Sequence, residues 1–138
     1  MKKALYFLWP LLILALIIGL RYIKDQDDSQ QELGAQLYQT HCANCHMESG
    51  QGLGKLYPPL AGADFVAEGG AELACGIVNG YADTLVVNGV AYSRPMPGIK
   101  TLSDYEITQI IHYIKTAWGP QGGTVSFKAV QAALENCN

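Results

Sequence analysis

Cys42-Ala43-Asn44-Cys45-His46 is the stretch that decides how the rest of this 138-residue chain is read. The spacing C-x-x-C-H is the signature of c-type haem attachment. Its physical reason is reach: two thiols three residues apart on a tight turn meet the two vinyl groups along one haem edge and form thioethers, and the next residue brings its imidazole under the iron. Two other uses of paired cysteines compete with this one. A redox dithiol of the thioredoxin kind wants a βαβ surrounding, and a zinc site wants a second ligand pair at short spacing. The sequence offers neither.

Working outward, the residues ahead of the motif predict a helix from about Ser29 to His41, with Leu33, Leu37 and Tyr38 on one face. Behind it, Gly50 to Gly62 is too punctuated by Gly52, Gly54, Pro58 and Pro59 for regular structure. A short helix fits Ala71–Asn79, and residues 84–93 read as a hairpin through Asn88-Gly89. The clearest helix runs from Ser103 to about Ala117. It opens on the capping box S-D-Y-E, carries the stripe Ile107, Ile110, Ile111 and Ile114, and is stopped by Gly119-Pro120. The tail, 121–138, holds a turn or two of helix around Phe127–Leu134 and the last cysteine, Cys137. No internal repeat is present.

Several of these residues stand where the class I cytochromes c carry characteristic ones, and the chain resembles that family across residues 33–119. Gly34 lies eight residues ahead of Cys42 and Tyr38 four ahead, as the family's helical Gly and aromatic do. Pro58, Leu60 and Gly62 match its Pro whose carbonyl accepts the proximal His proton, its apolar residue against the ring and its following Gly. Ile110 and Tyr113 match the apolar–aromatic pair of its last helix. The resemblance implies an all-α class I cytochrome c fold around one covalent haem c, with His46 and a methionine as axial ligands of the iron.

Elimination points to the same methionine as the family pattern. Beyond Met1 the methionines are Met47 and Met96, and the histidines besides His46 are His41 and His112. Met47 and His41 are too near covalently fixed residues to reach the opposite face of the ring, and His112 lies beside the isoleucine stripe as an ordinary helix residue. Met96 sits in Arg94-Pro95-Met96-Pro97-Gly98, stiff at φ, fourteen residues ahead of Ile110 as in the family. A thioether ligand favours the ferrous state, and two filled axial positions leave no site for a substrate, so the expected role is single-electron transfer, not catalysis. Leu60, Tyr92 and the last helix would pack the ring and lower the local dielectric. Because c-type haem is attached outside the cytoplasm, the leftover pair Cys75 and Cys137 is expected to oxidise. That bridge closes a loop of about 63 residues, worth roughly 4 kcal/mol in the chain-entropy model.

From Ala4 to Leu20 the chain runs without a charge between Lys2/Lys3 and Arg21/Lys24. As a helix this is about 26 Å long, against roughly 30 Å of hydrocarbon, a difference that snorkelling cations can cover. The rival, a cleaved signal peptide, needs a small-x-small site that Gly19-Leu20-Arg21-Tyr22-Ile23-Lys24 does not provide. The expected organisation is an uncleaved anchor (1–24), a short acidic linker (25–32), the haem domain (33–119) and an extension (120–138) tied back by the disulfide. Residues 1–24 carry a net +4. The rest has five basic against twelve acidic side chains, a net −7, which excludes a nucleic-acid binder.

The whole reads as a single-pass protein of the bacterial inner membrane, with its haem domain on the periplasmic side and residues 4–20 in lipid. It would carry electrons in a respiratory or photosynthetic chain between a quinol-oxidising complex and a haem-copper terminal oxidase, or serve as a fixed subunit of one. No small-molecule substrate is expected. The alternative is a haem sensor or peroxidase-like module with a displaceable sixth ligand.

Overall fold

The computed structural model describes residues 2–119 and 123–137, with side chains from Trp9 onward. Helix α5, Asp104–Trp118, forms as its sequence dictates. Ser103 Oγ accepts the Glu106 N–H, and the Glu106 carboxylate accepts the Ser103 N–H at 2.8 Å and its hydroxyl at 2.7 Å, completing the capping box. Ile107, Ile110 and Ile111 are fully buried and form the centre of the core with Tyr38, Val87 and Val130.

Helix α1, Lys2–His41, delivers the chain to the Cys-x-x-Cys-His motif. Its last turns pack on α5 at Gly34, where a Cβ would overlap the Gln109 carbonyl oxygen and stand 2.8 Å from Tyr113 Cβ. The missing side chain lets the two backbones touch. One turn later Tyr38 is fully buried against Tyr113 and Trp118, with ring centroids 5.4 and 5.0 Å away. Its hydroxyl donates to the Met47 carbonyl at 2.6 Å, tying α1 to the segment that leaves the motif.

Residues 25–32, the expected acidic linker, are helical, part of α1, which extends the helix expected from about Ser29 back through Asp25. The run D-Q-D-D-S-Q-Q-E contains no Gly or Pro, and a helix already nucleated on either side propagates through Gln and Glu at little cost. The chain divides into two compact units, residues 1–32 and 33–138. Among the described residues no helix is long and apolar enough to cross a membrane. The apolar run expected from Ala4 begins among residues 1–8, whose side chains lie outside the described set.

The remaining elements close around α5. Helix α2, Ala43–His46, is one turn within the motif, and α3, Asp64–Glu68, is a short helix that the sequence reading did not anticipate. Asp64 is exchanged with Asn88: the Asp64 N–H donates to Asn88 Oδ1 and the Asn88 N–H to the Asp64 carboxylate, both at 2.9 Å. Lys115 is buried and donates to the carbonyls of Val66 at 3.2 Å and Gly69 at 2.5 Å, capping the far end of α3. Helix α4, Leu73–Asn79, leads into strand β1, Gly80–Tyr81. Strands β2, Leu85–Val87, and β3, Val90–Tyr92, form the hairpin through Asn88 and Gly89, both at positive φ.

Strand β4, Met96–Pro97, pairs antiparallel with β1, Tyr81 opposite Met96. The fold is mostly helical, with two small two-stranded sheets, one of them the hairpin expected over residues 84–93. Helix α6, Phe127–Glu135, starts at Ser126, whose hydroxyl accepts the Ala129 N–H, and buries Val130. Cys75 on α4 is disulfide-bonded to Cys137, just past the end of α6. Pro120, read as the stop of α5, lies outside the described residues; Gly119 closes the helix by donating its N–H to the Lys115 carbonyl.

Two outcomes follow from these contacts. Gly34→Ala forces α1 off α5 and should lower the unfolding free energy of the holoprotein by about 1–3 kcal/mol in denaturant titration. The two Ser103 hydrogen bonds hold the Glu106 carboxyl below its ordinary value of 4.5. A depressed folded-state value makes the cap stabilising above that ordinary value, and the contribution is lost as pH falls through the folded-state one. Thermal melts of Glu106→Ala should therefore show a weaker acid dependence than the parent below about pH 4.5.

Candidate functional site

The motif is positioned by backbone hydrogen bonds on both sides. The Cys42 N–H donates to the Tyr38 carbonyl at 2.8 Å, and the N–H groups of Cys45 and His46 return to the Cys42 carbonyl at 3.1 and 2.9 Å. The chain then doubles back: Gly52 donates to the His46 carbonyl, while Leu60 and Ala61 both donate to the carbonyl of Gly50. Gly52 has φ +67, and a Cβ there would lie 2.6 Å from the Pro58 carbonyl carbon, so glycine lets the Tyr57-Pro58 segment approach. Gly50, at φ +69, lies against the Trp118 ring in the same way.

That approach sets the imidazole. His46 is buried, and its Nδ1 lies 2.9 Å from the Pro58 carbonyl oxygen. A carbonyl only accepts, so Nδ1 carries the proton and donates, which leaves Nε2 as the lone-pair nitrogen. Burial holds the His46 pKa below its ordinary value, against the opposing pull of the Pro58 carbonyl, and the ring stays neutral, the form that binds a metal. Cys42 and Cys45 are unbonded thiols, not a disulfide.

All of this faces one open, largely apolar cavity. Cys42, Cys45, His46, Pro58, Leu60 and Met96, the residues singled out from the sequence, all line it. Met96 lies on β4, and Arg94 just before it sits over the Tyr57 ring, 5.0 Å from the centroid. The other expected pair, Cys75 and Cys137, lies apart from this lining, as a disulfide between α4 and the tail.

The wall also contains residues that the sequence reading did not single out: Phe65 and Val66 on α3, Ile77 on α4, and Leu85 and Val87 on the hairpin. Period-two alternation could have found Leu85 and Val87, which face inward with Tyr92 while Val86 is exposed. Nothing in the sequence marked α3. Asp83 and Arg94 are the charged side chains in the lining; the rest is overwhelmingly apolar.

The donor set fits a haem: an apolar slot, two cysteines three residues apart that form no disulfide, and a neutral imidazole whose tautomer is fixed by a carbonyl. The comparisons with known proteins agree. The family model described as Cytochrome c matches residues 31–118. Cytochrome c-552 of Thermus thermophilus is 38% identical over 103 residues, covering 72% of this chain and 78% of that protein. The cytochrome c subunit of alcohol dehydrogenase (quinone) from Gluconobacter oxydans (strain 621H) is 33% identical over 104 residues, 74% of this chain but 22% of that subunit.

The site is that of an electron-transfer haem protein, with haem c bound covalently. The chain belongs to the cytochrome c family. Cys42 and Cys45 would hold the group through thioethers and His46 would ligate its iron. Accordingly, acid–acetone should extract no haem from the parent protein or from Cys42→Ala or Cys45→Ala alone. It should extract haem from Cys42→Ala/Cys45→Ala, read as the intact mass of the protein before and after extraction.

Proposed function

We propose that this protein is a membrane-anchored, mono-haem electron carrier with His46 and Met96 as axial ligands, working on the periplasmic face of a bacterial inner membrane. The observation that carries the ligand set is that Met96 lines the same cavity as His46, on a strand held by pairing to Tyr81. Bound there, haem c supplies a one-electron ferric/ferrous couple. A thioether from Met96 favours the ferrous state. The apolar walls of Leu60, Val66, Ile77 and Val87 exclude water, and the Pro58 carbonyl keeps the His46 tautomer fixed while charge changes nearby.

The anchor rests on a different observation. From Trp9 to Ile23 α1 exposes apolar side chains on every face, Trp9 at 69% and Ile18 at 60% among them. A helix that is apolar all round and covered by no protein suits lipid. For partners, we place the chain between a quinol-oxidising complex and a haem-copper oxidase, or as a subunit of one. The Gluconobacter relative, named as the cytochrome c subunit of a quinone alcohol dehydrogenase, supports a quinone-linked assembly. The acidic domain, −7 over residues 25–138, calls for a partner surface that is basic or apolar.

Replacement of the sixth ligand tests the carrier reading. The parent should show a sulfur-to-iron band in the far red when oxidised and bind no carbon monoxide when reduced at neutral pH. Met96→His should lose that band and lower the reduction potential by roughly tenths of a volt. Uptake of carbon monoxide by the reduced parent would instead support a ligand-binding module. The anchor is tested by washing membranes that carry the full chain: retention after high salt and alkaline carbonate, with release by detergent, is expected. Release by salt alone would overturn it.

A further inference from the structure

The two-residue strand that carries Met96 has one pairing partner, β1, which is the direct continuation of α4. At the junction the two segments lie as close as backbones can. Gly80, at φ +73, leaves no room for a side chain: a Cβ would overlap the Met96 carbonyl oxygen and stand 2.6 Å from the Gly98 nitrogen. A Cβ on Gly98 would stand 2.6 Å from the Asn79 carbonyl carbon. Just beyond, the Ile99 N–H donates to the Ile77 carbonyl at 2.8 Å. Residues 96–99 are therefore laid along the C-terminal end of α4, and Met96 moves when that end moves.

A seven-residue helix does not hold itself in place, because so short a helix is marginal without tertiary support. Its cavity face, including Ile77, looks onto the cofactor slot. What backs α4 from the other side is α5 and the tail: Val130 of α6 is fully buried, and Cys75, one turn before Asn79, is bonded to Cys137 past the end of α6.

We propose that the Cys75–Cys137 disulfide, acting through α4 and β1, positions Met96, so that this tail crosslink keeps the sixth ligand in place. The two cysteines are positioning residues; neither lines the cavity. The proposal rests on the reading of Met96 as the iron's sixth ligand, and its mechanical part, the hold of the crosslink on residues 96–99, is measurable without that reading.

The test compares the full-length holoprotein with Cys75→Ser/Cys137→Ser by amide hydrogen exchange and by carbon monoxide uptake after reduction at neutral pH. In the variant, exchange at the Ile99 amide should rise about tenfold or more while amides around Ile110 in α5 change by less than about twofold. The reduced variant should take up carbon monoxide that the parent refuses. Unchanged exchange at Ile99, or a rise of equal size throughout α5, overturns the proposal, as does a variant that refuses carbon monoxide like its parent. If the reduced parent itself takes up carbon monoxide, the ligand reading fails, and exchange at Ile99 alone decides whether the crosslink holds the strand. Should the double variant yield no holoprotein, the parent is treated with a phosphine to open the disulfide and read in the same way. Loss of the whole fold on that treatment counts against a specific hold on Met96.

Discussion

The contact between α1 and α5 at Gly34 is the constraint from which the rest of the domain is built. With no side chain at residue 34, backbone meets backbone at Gln109, and the rings of Tyr38 and Tyr113 then pack beside it, each edge to face with Trp118. That contact fixes the end of α1, and the end of α1 is where the Cys-x-x-Cys-His turn begins. It also orients α5, so that Ile107 and Ile110 face the protein interior while Ile111 and Ile114 reach the cavity wall. The Tyr38 hydroxyl extends the constraint by one step, holding the Met47 carbonyl and hence the loop that brings Pro58 to His46. Burial keeps that phenol protonated far above its ordinary range, so it remains a donor under any physiological condition.

Much of this was legible in the sequence because it is written in local terms. The capping box at Ser103, the Asn88-Gly89 turn and the isoleucine stripe are each decided within a few residues, and the structure forms all three. The site residues were legible for a related reason: covalent attachment demands a fixed spacing, and Pro58 and Met96 stand out by their neighbours. The features that escaped depend on partners distant in sequence. Pairing of Met96–Pro97 with Gly80–Tyr81 needs two glycines brought together from either side of a hairpin. Helix α3 is held by Asn88 at one end and Lys115 at the other, neither of which announces itself in the sequence D-F-V-A-E. Continuation of the helix back from Ser29 through residues 25–28 rests on α1 already being formed on both sides, not on anything within that acidic run.

Charge in the domain is segregated in a way that suits a centre changing its oxidation state. The acidic excess of residues 25–138 is spread over the surface, whereas the cavity keeps Asp83 and Arg94 as its charged lining, Arg94 being spread over the Tyr57 ring. The buried cation, Lys115, is turned to the carbonyls at the end of α3. Water and mobile charge next to a redox group must rearrange each time an electron arrives or leaves, and an apolar wall with fixed dipoles avoids much of that rearrangement.

The same wall explains why so small a domain carries a crosslink. Its interior is divided: one part is protein packed on protein around Tyr38 and Ile110, and the other is a slot that the haem would fill. A domain of this size has little apolar surface to spare, and an unfilled cavity costs stability in proportion to its volume. Covalent attachment removes the option of losing the group, so the slot can be part of the core and not a demand on it. Two of the short helices that face the slot, α3 and α4, are each secured by a bond from outside their own sequence, α3 by Lys115 and α4 by the disulfide to Cys137. Securing the walls singly, instead of thickening the core, leaves the slot lined by short segments. Short segments are what bring His46 and the strand of Met96 to one slot within about a hundred residues.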